Sequence, residues 1–265
     1  MARTRPLALI TGASSGLGAE FARQLAARGF DLVLVARRGD RLEALGNELR
    51  SRHHVEAQPL VADLTCEAEV KAVEQYIAGT ENLELLVNNA GFGTKGRFFD
   101  TDVSTQDAMH RLHVMATLRL THAALVKMTA SRKGAVINVS SMAAFAPRVG
   151  STSYYATKAW MNCFTEGLYL ELKGAGSPVR VQALCPGFTI TEFHDAMGMD
   201  RNVVPSGLWM SATDVVAASL RGLARDKLFV VPGLPYKFFF FILRLLPRSL
   251  LHTLAMKNPT KWESR

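Results

Sequence analysis

Short, mostly apolar runs recur along the chain at 7–10, 32–36, 55–61, 83–87, 135–139, 179–184 and 228–231, and helical patterns fill the intervals between them. A strand that is apolar at successive positions has no face to offer water, so these runs predict a parallel sheet covered by helices on both sides. At 265 residues, and without a proline- or glycine-rich linker, the chain is expected to form one α/β domain of the Rossmann type, a doubly wound parallel sheet. The pattern changes past residue 232. There an aliphatic and aromatic stretch, 236–256, predicts a pair of helices broken at Pro247, so the chain divides into a domain over 1–232 and an apolar, basic helical extension over 233–265.

The first apolar run leads directly into Thr11, Gly12, Ala13, Ser14, Ser15, Gly16, Leu17 and Gly18, and a helical pattern follows over 20–28. Strand, glycine turn and helix in that order are what a dinucleotide site requires. Glycines let the backbone turn tightly and approach a pyrophosphate, whose charge is met by N–H groups at the helix start. The basic residues Arg3 and Arg5 ahead of this run resemble the start of a secretory signal, but the apolar stretch is too short for one and reads as the first strand.

Three residues further along carry candidate chemistry. Ser141 follows the run 135–139, at the C-terminal end of the strand it predicts, where parallel sheets bind ligands. Tyr154 comes thirteen residues later and Lys158 four after that, a spacing that puts phenol and ammonium on one face of a helix. A positive charge ~4 Å from a phenol is worth at most roughly 4 kcal/mol at an effective dielectric near 20, about three pK units. The expectation is a phenol brought near neutrality, able to give or take a proton at a carbonyl or alcohol oxygen. In isolation the pair also fits an amphipathic helix with a half-buried tyrosine and an exposed lysine.

Taken together, the segment from Thr11 to Gly18, Asp63 with Leu64, the run Asn88, Asn89, Ala90 and Gly91, then Ser141, Tyr154, Lys158, and Pro186 and Gly187 with Thr189 and Thr191, stand in the order and spacing of the short-chain dehydrogenase/reductase family. The chain resembles that family over about 7–232, and the run Asn89 to Gly93 with the apolar tail is similar to its DltE-like subgroup. The resemblance implies an oxidoreductase that interconverts a ketone or aldehyde and an alcohol by hydride transfer. Tyr154 would be the acid/base, Ser141 would orient the oxygen, and Lys158 would lower the tyrosine pKa while holding the nicotinamide ribose. It further implies that Asp63 meets the adenine amine, although an aspartate there also suits a helix N-cap. Asn89, Ala90 and Gly91 would line the adenosine, and Thr189 and Thr191 the nicotinamide end. A homodimer or homotetramer is implied as well. Relatives that reduce enoyl groups separate tyrosine and lysine by seven, and here Ser151 holds that place.

One position departs from the family. In the helix after the fourth strand His113 stands where the family has an asparagine that holds a water linking the lysine to solvent. The imidazole could carry the proton itself or hold the same water; it could equally be a buried histidine without a role, or mark a chain that binds NADP and does not turn over, acting as a scaffold.

Cofactor choice is read from the end of the second strand. Ala36 occupies the place where an NAD enzyme carries a carboxylate, and Arg37 and Arg38 follow. With no acid to repel a 2′-phosphate and guanidinium groups to bind it, NADP(H) is expected. The segment 188–211, with Phe188, Phe193, Met197, Met199, Leu208, Trp209 and Met210, lies where the family has its substrate lid, which points to a small hydrophobic carbonyl or alcohol.

Cys66, Cys163 and Cys185 are odd in number and without metal-ligand spacing, so no metal is expected and a cytoplasmic, reducing compartment fits. The net charge of +8 is dispersed, which argues against a nucleic-acid partner. Arg244, Arg248 and His252, spaced by four, put a cationic stripe on the extension. Its apolar run is too short to cross a bilayer, leaving contact with a membrane surface or packing on protein.

Overall fold

The structure, a computed structural model, describes residues 5–193 and 204–257. Seven parallel strands form one sheet in the order β3-β2-β1-β4-β5-β6-β7. They are β1 (Leu7–Thr11), β2 (Asp31–Ala36), β3 (Ala57–Val61), β4 (Leu83–Asn88), β5 (Ala135–Val139), β6 (Arg180–Leu184) and β7 (Phe229–Val230). The run at 55–61 yields a strand only from Ala57, at the sheet edge, where Pro59 costs no ladder bond to a further neighbour.

Because side chains alternate across a strand, each central strand feeds two cores. Ala8, Ile10, Leu32, Leu34 and Ile137 pack with α1 (Gly16–Ala26), α2 (Gly39–His53) and α7 (Ala212–Ala224) through Phe21, Leu25, Leu42, Leu49, Val215 and Leu220. Leu9, Val33, Val35, Leu86 and Val136 face the other way, onto α3 (Glu67–Gly79), α5 (Thr117–Ala130) and α6 (Thr152–Gly174), meeting Val73, Ile77, Leu120, Ala124 and Leu172. The doubly wound arrangement expected from the apolar runs is therefore the fold.

Two features depart from the simple pattern. Between α4 (Val103–His110) and α5 the helix continues through a π turn, Arg111–Ala116, which holds His113. Past β7, α8 (Leu234–Leu245) and α9 (Arg248–Lys257) meet at 119°, so Arg244 lies on one helix and Arg248 and His252 on another, and the single cationic stripe expected from their spacing is not formed. Tyr236 and Leu243 of α8 are buried in a third cluster with Met142, Ala183 and Cys185.

Candidate active site

The strand order reverses between β1 and β4, and beyond the C-terminal ends of such strands a doubly wound sheet leaves room for a ligand. A cavity of about 470 Å³ lies there. Its lining includes Gly12, Ser14, Ser15, Gly16 and Leu17 from the glycine turn, Arg37 and Arg38 after β2, Asp63 and Leu64 after β3, and Asn89, Ala90 and Gly91 after β4. Ser141, Tyr154, Lys158, Pro186, Gly187, Thr189 and Thr191 complete the wall.

The turn is built for close approach. Gly12 has φ +68°, and a Cβ there would lie 2.9 Å from the Ala90 Cα, while Asn89 Nδ2 donates to the Thr11 carbonyl at 2.9 Å and braces the turn from the neighbouring strand end. Thr11 Oγ1 accepts the N–H groups of Asn89 and Ala90, at 2.9 and 3.0 Å. Gly18 stands behind the cavity lining: a Cβ there would sit 2.2 Å from the Gly12 carbonyl oxygen, so its smallness lets α1 start against the turn. Asp63 does not cap a helix: its Oδ1 accepts from the Thr65 N–H at 3.0 Å in the turn ahead of α3, while Oδ2 stands 3.8 Å from Arg37. The N-cap of α3 itself is Cys66.

Ser141 leaves β5 and caps a short 3₁₀ turn, Met142–Phe145, its Oγ accepting the Ala143 N–H at 3.1 Å. Tyr154 and Lys158, one turn apart near the start of α6, face the same cavity, as their spacing demands. Their electrostatics run against the expectation. Burial pushes the Tyr154 phenol up to about 12, partly opposed by a hydrogen bond with Ser141, and burial brings the Lys158 ammonium down to about 8. Loss of water dominates because the ammonium nitrogen lies 5.8 Å from the phenol ring centre and donates at 2.7 Å to the Val139 carbonyl.

Residues 6–202 match the family described as short chain dehydrogenase. The chain belongs to the short-chain dehydrogenase family. It is an oxidoreductase, and its fold is shared with a short-chain dehydrogenase from Sphingobium yanoikuyae solved in complex with NADPH: 37% identical, TM-score 0.84, over 93% of this chain and 95% of that one. The bulky-bulky ketone specific alcohol dehydrogenase of Comamonas testosteroni is 32% identical with a TM-score of 0.81, over 99% and 98%. Serine 3-dehydrogenase of Rhizobium radiobacter is 38% identical over 70% of this chain and 72% of its own. A bulky ketone and serine are chemically unlike, so kinship alone leaves the substrate of this dehydrogenase open.

His113 of the dehydrogenase lies outside the cavity lining and is fully buried. Nε2 accepts the Phe92 N–H at 3.2 Å, so the proton sits on Nδ1, which donates to Thr157 Oγ1 at 3.0 Å; that hydroxyl donates in turn to the Tyr154 carbonyl at 3.0 Å. Burial first, then the Lys158 charge, holds its pKa well below the ordinary histidine value. The proton-carrier role expected from the sequence does not suit this arrangement, because both ring nitrogens are spent inside the protein and Lys158 turns to Val139. Gly91 packs directly on the ring, where a Cβ would approach Nε2 to 2.7 Å.

Three contributors were missed in the sequence. Glu192 lines the cavity and binds Arg38 at 3.1 Å and Arg41 at 2.8 Å. Phe92 lines it next to Gly91. Tyr236, from outside the cavity, accepts the Phe188 N–H at 3.0 Å and donates to the Leu208 carbonyl at 2.8 Å. Of the expected lid residues, Phe193 faces the site with its ring 5.9 Å from that of Tyr154, whereas Phe188, Leu208 and Met210 pack on the third core cluster. Met197 and Met199 lie outside the described residues. Among the described residues no group of three or more His, Cys, Asp or Glu is placed to hold a metal ion.

Proposed function

We propose that this dehydrogenase reduces hydrophobic ketones or aldehydes with NADPH. What carries the reading is Ser141, Tyr154 and Lys158 on one wall of a cavity whose other end is a glycine turn beside two arginines. The cradle fits the cofactor: Gly12 and Gly16 have positive φ, a Cβ at Gly12 would collide with Ala90 and one at Gly16 would press on Thr191, Ala36 leaves no acid at the ribose, and Arg37 and Arg38 stand beside it. Arg37, with its side chain 71% exposed, is the freer guanidinium for a 2′-phosphate, since Arg38 is held by Ser14, Ser15 and Glu192. Asp63, Leu64, Asn89, Ala90 and Gly91 would border the adenosine, with Pro186, Gly187, Thr189 and Thr191 at the nicotinamide end.

When bound, the cofactor supplies a hydride to the carbonyl carbon. The protein does the rest. Ser141 holds the substrate oxygen at the phenol and Tyr154 gives it a proton, while Lys158, on the same cavity wall, would hold the ribose of the bound cofactor. A phenol with a raised pKa keeps its proton at neutral pH, and the protonated form is the one that reduction consumes. His113 is a positioning residue, tying the strand end at Phe92 to the helix that carries Tyr154. Phe193 beside the phenol and Phe92 elsewhere on the cavity wall support an apolar substrate.

The run Asn89 to Gly93 and the apolar tail support membership of the DltE-like subgroup. We place the protein in the cytoplasm as a homodimer or homotetramer, on its scattered cysteines and its family. NADPH oxidation measured over carbonyl compounds of rising hydrophobicity tests the function: turnover should increase with apolar bulk, and its absence across the series would favour a cofactor-binding scaffold.

A further inference from the structure

Helix α8 is apolar on two opposite sides. Tyr236, Phe240 and Leu243 turn inward: Tyr236 and Leu243 are buried, and the Phe240 ring packs 4.7 Å from that of Phe145. At about 100° per residue, Leu234, Phe238, Phe241 and Leu245 share an arc of roughly 60° on the other side. They are between 61 and 78% exposed. Helix α9 adds Leu250 and Leu254, one turn apart and also exposed. A globular domain has no reason of its own to leave such a stripe in water.

The charge around the stripe says what covers it. Lys237 and Arg244 flank it on one side, and the span 234–257 contains no aspartate or glutamate. At its N-terminal end a second cavity of about 460 Å³, which Leu234 and Lys237 also line, is surrounded by Arg221, Arg225 and Lys227, with Asp214 its one carboxylate. Pairing of this face with the same face of a second copy would set cation against cation. An anionic surface with an apolar interior meets both features. A surface position fits better than a span: no single described helix is long and apolar enough to cross a membrane, the pair α8 and α9 that together has the length is bent by 119°, and the inner side of α8 is already spent on the domain.

We infer that α8 and α9 dock this protein on an anionic lipid surface, with Leu234, Phe238, Phe241 and Leu245 entering the acyl boundary and the neighbouring basic cavity receiving headgroup phosphates. This stands independently of the catalytic reading.

Co-sedimentation of the full chain with vesicles tests the inference without any assay of turnover. The wild type should bind vesicles containing phosphatidylglycerol at least tenfold better than vesicles of phosphatidylcholine alone, and raised salt should weaken that binding. Phe238→Ser with Phe241→Ser should abolish it, and Lys237→Glu should reduce it severalfold, both with an unchanged thermal melt because all three side chains are exposed. As a second readout, Phe241→Trp should blue-shift its emission on the phosphatidylglycerol vesicles. Failure of the wild type to bind either vesicle overturns the proposal, as does equal binding to both. So does a wild-type oligomer that the double serine variant dissociates in the absence of lipid, which would make the face an interface between copies.

Discussion

Arg38 Nη1 lies 3.1 Å from Glu192 Oε2 and Arg38 Nη2 lies 2.8 Å from Ser15 Oγ, so one guanidinium ties the loop after β6 to the glycine turn. Hydrogen bonds from Arg41 and Arg38 hold the Glu192 carboxyl below its ordinary pKa. A carboxylate so placed competes with any anion for these guanidinium groups. Arg37→Ala should weaken NADPH binding by roughly 1.5–3 kcal/mol, the scale of a hydrogen bond to a charged group, and barely change NADH. Glu192→Gln should tighten NADPH more than NADH. Fluorescence titration of both cofactors checks the pair; equal changes for the two cofactors would remove the 2′-phosphate from the explanation.

Tyr154→Phe removes only the transferable proton and keeps the ring. Turnover should fall at least a hundredfold, while the Kd for NADPH moves less than about twofold. Steady-state kinetics beside cofactor titration reads both, and surviving turnover would mean that the proton comes from elsewhere.

Lys158 makes stability depend on pH. Its pKa is about 8 in the fold against 10.5 in the open chain. Between these values the unfolded chain binds more protons than the native one, so stability rises with pH across that window, and below it the buried charge costs roughly 3 kcal/mol. Tyr154 acts in the opposite sense at higher pH, its native pKa of about 12 making stability fall above 10. Lys158→Met should therefore melt a few degrees above wild type at pH 7, with the gap closing towards pH 10, and should be inactive. Thermal melts across this range suffice, and a variant less stable at pH 7 would show that the bond to Val139 outweighs desolvation.

The neutral, doubly bonded His113 predicts a flat pH profile. Between pH 5.5 and 7.5, kcat for wild type and His113→Asn should run parallel, without an inflection at the ordinary histidine pKa of about 6.5. His113→Leu leaves the Phe92 N–H without its acceptor, at about 1–3 kcal/mol for a buried group left unsatisfied, and cuts the link to Thr157, whose hydroxyl keeps its bond to the Tyr154 carbonyl. It should lower kcat and melting temperature together, while His113→Asn restores much of both. An inflection present in wild type and missing in the asparagine variant would return the imidazole to proton transfer.

The backbone of the site was legible because it rests on local patterns. An apolar run followed by glycines announces a strand and its turn, as at 7–18, and the run 135–139 became β5 residue for residue. What escaped depends on contacts distant in the chain. Glu192 meets Arg38 across 154 residues and Tyr236 reaches Phe188 across 48, and no periodicity encodes either. The direction of the Tyr154 shift escaped for another reason: spacing places a charge near the phenol but does not say how much water burial removes. Gly187 lines the cavity, but nothing in its motif says that the ring of Tyr236 occupies the place of its side chain.

That last contact has a consequence for how the protein is made. A Cβ at Gly187 would come within 2.1 Å of the Tyr236 ring, and the tyrosine hydroxyl pins the loop at Phe188 and Leu208. During synthesis the chain emerges N-terminus first, so all seven strands are available before this tyrosine leaves the ribosome. A product cut short before residue 236 has its whole sheet, but its loop keeps the tie to Arg38 and lacks the pin at Phe188 and Leu208. A truncated chain is thus separated from a finished one by the hold on one loop beside the site before it is separated by fold.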